Sequence, residues 1–62
     1  MALNNLGQIL TTLDRFDEAI TSYQQALTVQ TDNIEAYIGL GNTQKSLGRY
    51  QEAVEIFNKA LQ

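Results

Sequence analysis

Cysteine and histidine are both missing from the 62 residues of this chain. Without cysteine there is no disulfide and no thiolate zinc site. Without histidine the commonest metal ligand and the usual general base are gone. Proline and tryptophan are absent too, and the four Lys and Arg residues form no run and are outnumbered by seven acids. The resulting net charge of −3 argues against nucleic acid as a partner and gives weak repulsion from polyanionic surfaces. No apolar stretch approaches the roughly 20 residues of a membrane span, and no secretory leader is expected. No membrane partner is therefore expected, and the expected compartment is the cytoplasm.

What is present is an ordinary share of apolar residues, 44%, too many for a disordered chain. A chain this short makes at most one small domain with a thin core. Inside it lies an internal repeat. Leu6-Gly7 recurs as Leu40-Gly41, 34 residues later. At the same offset Ala2 meets Ala36, Leu13 meets Leu47, Arg15 meets Arg49, Glu18-Ala19 meets Glu52-Ala53, and Ala26-Leu27 meets Ala60-Leu61. These nine identities need no gap, and Phe16/Tyr50, Ile20/Val54 and Tyr23/Phe57 conserve size and character. One structural unit has been used twice.

Each unit reads as two helices. Leu3, Leu6, Leu10 and Leu13 step by three and four residues along one helical stripe, and Phe16, Ala19, Ile20, Tyr23, Ala26 and Leu27 form the next. Ala36, Tyr37, Leu40 and Leu47 make the third stripe, and Tyr50, Ala53, Val54, Phe57, Ala60 and Leu61 the fourth. Between the stripes of each unit, Asp14 and Gly48 suit the left-handed residue that closes a helix. At the start of the third helix Asp32 is placed to cap, with Glu35 reaching back as in a capping box. On the fourth, Glu55 and Lys59 stand four apart in the favourable order. Gly7 and Gly41 fall inside helical stripes, where glycine costs roughly 1 kcal/mol relative to alanine. That cost is tolerated where a neighbour must come close. The expected neighbours are Ala19, Ala26, Ala53 and Ala60, with Tyr23 or Phe57 filling the remaining gap.

With these residues in view, the chain resembles the tetratricopeptide repeat family, whose period is 34 residues and whose pattern runs Trp-x2-Leu-Gly-x2-Tyr, Ala-x3-Phe, Ala, Pro. The first copy offers Leu3, Leu6, Gly7, Leu10, Ala19, Tyr23 and Ala26, and the second offers Tyr37, Leu40, Gly41, Ala53, Phe57 and Ala60. Leu3 and Gln44 stand where the family has aromatics, and Thr31 stands where it has proline. The resemblance implies an all-α fold, an α-solenoid of two stacked antiparallel helix-turn-helix hairpins. It forms one domain over residues 1–62, with the first repeat about 1–33 and the second about 34–62. It also implies a non-catalytic protein-interaction module that binds a peptide or partner protein on the concave face of the first helix of each repeat. By register that groove comprises Asn4, Gln8 and Thr11, then Glu35, Ile38, Asn42 and Lys45. Of the Lys, Asn and Arg clamp by which some relatives hold C-terminal carboxylates, only Asn42 is matched, which argues against that ligand here. The competing reading is that these polar residues are simply solvated, the default for a helix face.

No enzyme is expected. Gly39-Leu40-Gly41 superficially resembles a phosphate loop, but it lies in a helical stripe with no preceding strand. Asp14, Asp17 and Glu18 lack the alternating spacing of a calcium loop and suit a helix N-terminus. Ser22 and Ser46 have no base nearby in sequence, and Lys45 and Lys59 read as solvated. No cofactor or metal is expected.

A second surface is the open end of the array. The fourth stripe cannot turn every apolar residue inward, because a solenoid repeat needs a neighbour to bury its face. Val54, Ile56, Phe57 and Leu61 are therefore expected to form a self-association patch. The alternative function is a structural self-assembly unit, either a homo-oligomeric stack or a domain-swapped homodimer. In the latter, Thr31-Asp32-Asn33, lacking proline, would let the second and third helices fuse.

Overall fold

The computed structural model describes residues 3–62, so the Ala2 half of the Ala2/Ala36 pair lies outside it. The described residues form four helices and no strand: α1 (Leu3–Thr12), α2 (Phe16–Val29), α3 (Ile34–Ser46) and α4 (Tyr50–Leu61). The first two make one hairpin and the last two another; α3 docks on α2 and also lies beside α1. The fold is the all-α repeat of helical hairpins that the 34-residue period predicts.

Both hairpin turns are built alike. Asp14 has φ 60° and Gly48 has φ 78°, the left-handed residue in each case. Around Asp14, the Arg15 amide donates to the Leu10 carbonyl and the Asp14 amide to that of Thr11. Around Gly48, Arg49 donates to Gln44 and Gly48 to Lys45. This is the paired bonding of a Schellman motif, which uses up carbonyls that a helix end leaves free. Arg49 also donates from Nη1 to the Gln44 side-chain Oε1 at 3.3 Å. That bond partners a buried glutamine standing where the family has an aromatic.

The turn between repeats differs from expectation by one residue. Gln30, in extended conformation, closes α2, and α3 begins at Ile34. The cap is Asn33, whose Oδ1 accepts from the Ala36 amide at 3.1 Å, and not Asp32. With the start displaced by one position, Glu35 falls at the second helical residue and cannot complete a capping box with Asp32. The helices α2 and α3 are separate in this chain. The Asn33 amide bonds the Gln30 carbonyl, and the Tyr37 hydroxyl donates to the Thr31 carbonyl, closing the turn without proline.

The core centres on Tyr23, which is 2% exposed and sits among Leu10, Ala19, Ala26, Ala36 and Leu40. Burial of a ring this size is worth on the order of 2 kcal/mol. Two glycines make room for it. An alanine Cβ at Gly7 would lie 2.6 Å from Tyr23 Cζ, and one at Gly39 would overlap the same end of the ring, 2.6 Å from its hydroxyl oxygen. Gly41 bears the same relation to Phe57, at 2.6 Å from Cε1. The ring itself meets each glycine, so the notch is filled by an aromatic and not first by alanine. Gly39, which the sequence shows only as part of a false phosphate loop, is the inter-repeat notch. The ion pair within 4 Å among the described residues joins Arg15 Nε to Glu18 at 2.8 Å; Glu55 and Lys59 do not close one. Both partners of the former are more than half exposed, so it adds little.

Candidate functional site

The residues assigned to a groove lie on α1 and α3, and the two helices are joined side chain to side chain. Asn4 Nδ2 donates to Asn33 Oδ1 at 3.1 Å, so the residue that caps α3 also holds α1. The Asn4 Oδ1 atom is buried with no hydrogen-bond partner. Further along, the Thr11 and Thr43 hydroxyl oxygens are 3.1 Å apart. Each also lies within bonding distance of a carbonyl one turn back, Thr11 to Gly7 at 2.9 Å and Thr43 to Gly39 at 2.8 Å. A hydroxyl has one proton, so only one of the two can cross the seam while the other bonds its own helix. Tyr23 reaches the same place. Burial pushes its phenol pKa up, and a hydrogen bond with the Thr11 side chain partly opposes that rise.

Of the seven groove residues, Asn4 and Thr11 are thus half-buried and engaged within the chain. Gln8, Glu35, Ile38, Asn42 and Lys45 are exposed, Ile38 at 45%. Asn4 and Glu35, one from each repeat, line the same shallow cleft of about 450 Å³, together with Gln30, Asp32, Asn33 and Ile34. A second cleft of about 330 Å³ runs between the start of α3 and the end of α4, lined by Ile34, Tyr37, Lys59 and Ala60 among others. Ile34, 55% exposed and shared by both clefts, went unassigned in the sequence reading. Its signal was an isoleucine at the first turn of a helix, off the apolar stripe. Thr43, fully buried, was also missed, because a threonine on a helix reads as solvated.

The open-end residues divide. Val54 and Leu61 are exposed at 56% and 85%, as is Tyr50 at 65%. Ile56 is partly buried against the Tyr23 cluster, and Phe57 is half-buried against Gly41. Among the described residues, no group of three or more acids is arranged to hold a metal ion. No described helix is long and apolar enough to cross a membrane.

A family model for the tetratricopeptide repeat matches residues 1–62. Among similar curated proteins, protein O-mannosyl-transferase Tmtc3 of Drosophila melanogaster is 42% identical over 57 residues, covering 92% of this chain and 6% of that protein. The cell division cycle protein 16 homolog of Homo sapiens is 34% identical over 59 residues, covering 95% of this chain and 10% of its own. Superkiller protein 3 of Saccharomyces cerevisiae is 33% identical over 45 residues, covering 73% and 3%. The chain spans a tenth or less of the length of these relatives.

Proposed function

The chain belongs to the tetratricopeptide repeat family, and from that premise we propose that it is a non-catalytic module binding a peptide or partner protein on the face shared by α1 and α3. One observation carries the reading. The Asn4–Asn33 and Thr11–Thr43 contacts hold α1 and α3 side by side, so that Gln8 on one and Ile38, Asn42 and Lys45 on the other stand exposed on neighbouring helices. Such a strip offers amide donors and acceptors for a peptide backbone and one apolar contact at Ile38, which is the chemistry an extended segment needs. Ordering the strip costs little, because its supporting side chains are already engaged.

The test is a pull-down with the intact chain, comparing Asn42→Ala and Ile38→Ala with Gln51→Ala on the far helix. Loss of the same partners in both groove variants and retention in the third is the expected result. A partner set unchanged by Asn42→Ala and Ile38→Ala would dispose of this face as the binding surface.

A further inference from the structure

The strip shared by α1 and α3 is uneven in charge. Leu3–Thr12 contains no charged residue, so the charges along the strip come from α3. Glu35 lies in the first turn of α3 and Lys45 in the last. At about 100° per residue, Glu35, Ile38, Asn42 and Lys45 fall within roughly 80° of arc, on one face of the helix. All four are exposed, although α1, α2 and α4 all pack on α3. Asp32 and Glu35 both line the cleft at the head of this face, and no basic residue lines it with them. Among the described residues neither these carboxylates nor Lys45 is held in an ion pair. An acid at a helix start and a base at its end also answer the helix dipole, which carries roughly half a charge of the opposite sign at each end. Two full negative charges at the head and one full positive charge at the tail outweigh those halves. The strip therefore presents a negative head, an apolar step at Ile38, an amide at Asn42 and a positive tail.

Resting on the groove reading, we infer that the occupant of this strip is an extended segment of mixed charge: a basic residue, an apolar residue two places away and an acidic residue two places beyond that. The spacing follows from two rises. At about 1.5 Å per helical residue, Ile38 stands about 4.5 Å along α3 from Glu35, and Lys45 stands about 15 Å along it. An extended chain turns alternate side chains to one side, about 6.6 Å apart. Its first, third and fifth side chains thus fall at about 0, 7 and 13 Å, opposite Glu35, Ile38 and Lys45 and within the reach of long, flexible side chains. The main chain between the third and fifth residues passes Asn42, whose side-chain amide both donates and accepts. Either chain direction satisfies the pattern, because both bring opposite charges together. A segment with the same charge at both ends meets repulsion at one of them. Exposed ion pairs are individually weak, so the charges select among segments that Ile38 and Asn42 hold.

The test titrates three peptides with blocked ends into the intact chain and follows its amide resonances by NMR. Their sequences are Lys-Ser-Leu-Ser-Glu, Lys-Ser-Leu-Ser-Lys and Glu-Ser-Leu-Ser-Glu, each flanked by glycines. The mixed peptide should bind tightest, by about two- to fivefold over either like-charged one. It should shift Gln8, Ile38 and Asn42, and its advantage should shrink as salt is added. Lys45→Glu should move the preference to the base–base peptide, and Glu35→Lys should move it to the acid–acid peptide. Both positions are exposed, and circular dichroism checks that the swaps fold. Lys45→Gln, which adds no adverse charge to the helix end, should by itself abolish the advantage of the mixed peptide over the base–base one. If all three peptides shift the α1 and α3 resonances with equal affinity, the inference is overturned and the groove reading stands. A base–base peptide that binds the wild type tightest would also overturn it, since net charge alone predicts that order. So would an absence of shifts with every peptide at millimolar concentration. The pull-down with Asn42→Ala and Ile38→Ala changes no charge and judges the groove by itself.

Discussion

Replacing Gly39 by alanine adds one methyl group at the seam between repeats, and two opposed terms decide the outcome. Alanine in a helix interior is favoured over glycine by about 1 kcal/mol. Against this, the new Cβ would sit on the end of the Tyr23 ring, 2.6 Å from its hydroxyl oxygen, well inside ordinary contact. The ring is 2% exposed and the same end is already met by Gly7 of α1, so it has no free side to move to. Overpacking in such a place costs roughly 1–3 kcal/mol. After the propensity gain is subtracted, Gly39→Ala should destabilise the fold by up to about 2 kcal/mol. Gly41→Ala poses the same local clash with Phe57, at 2.6 Å, but Phe57 is half-buried on α4, which among the described helices packs on α3 alone. That ring can swing away, and the net change should fall between zero and about 1 kcal/mol of stabilisation. Thermal or urea unfolding followed by circular dichroism reads the difference, since 1 kcal/mol moves the midpoint of a domain this size by about 4–8 °C. In a Tyr23→Leu background the clash is gone, so Gly39→Ala should then stabilise. The reasoning is refuted if Gly39→Ala raises the midpoint as Gly41→Ala does, or if its effect is the same in the wild-type and Tyr23→Leu backgrounds.

Three further outcomes follow from single features. Asp14→Gly should stabilise by about 0.5–1 kcal/mol, because the left-handed φ of 60° strains any side chain, whereas Gly48→Ala should cost about 1 kcal/mol although the site is otherwise open; midpoints shifting in the same direction would contradict this. Asn33→Ala should cost about 1 kcal/mol through loss of the α3 cap, while Asp32→Ala stays within about 0.5 kcal/mol, as unfolding curves of the pair would show. The raised pKa of Tyr23 fixes a sign in alkali. The native state holds the phenolic proton where the unfolded chain has lost it, so this group's relative contribution is constant below about pH 10. Above that, the unfolded state gains by releasing its proton first, and stability falls until pH passes the higher folded value. Melting midpoints of Tyr23→Phe should therefore fall less steeply above about pH 10 than those of the wild type, and parallel curves would count against the burial explanation.

The features legible in the sequence were those encoded by spacing. The 34-residue offset located four helices, and Asp14 and Gly48 marked turns that the Schellman bonds confirm residue by residue. Those features depend on backbone conformation, which a residue type can announce by itself. What escaped was whatever depends on two residues meeting across the fold. Gly39 reads as a helical oddity until Tyr23 is found against it, and Thr43 reads as solvated until Thr11 is found 3.1 Å away. Both Asp32 and Asn33 can cap; the cap is Asn33, whose side-chain oxygen also accepts from the amide of Asn4, 29 residues distant, a contact that local sequence does not announce.

The same division governs the candidate surfaces. Register with the family places seven residues on one face, but register cannot tell an exposed Asn42 from an Asn4 spent on holding two helices together. The seam within the chain supplies what register lacks, a worked instance of how one copy covers the next. On α2, which α3 covers, Phe16, Ile20, Tyr23 and Leu27 are each less exposed than their counterparts Tyr50, Val54, Phe57 and Leu61 on α4. Half-burial of Ile20 and Leu27 beneath α3 is therefore the standard against which the open α4 stripe is measured. Whatever settles on that stripe must bring Val54 and Leu61 to the same state.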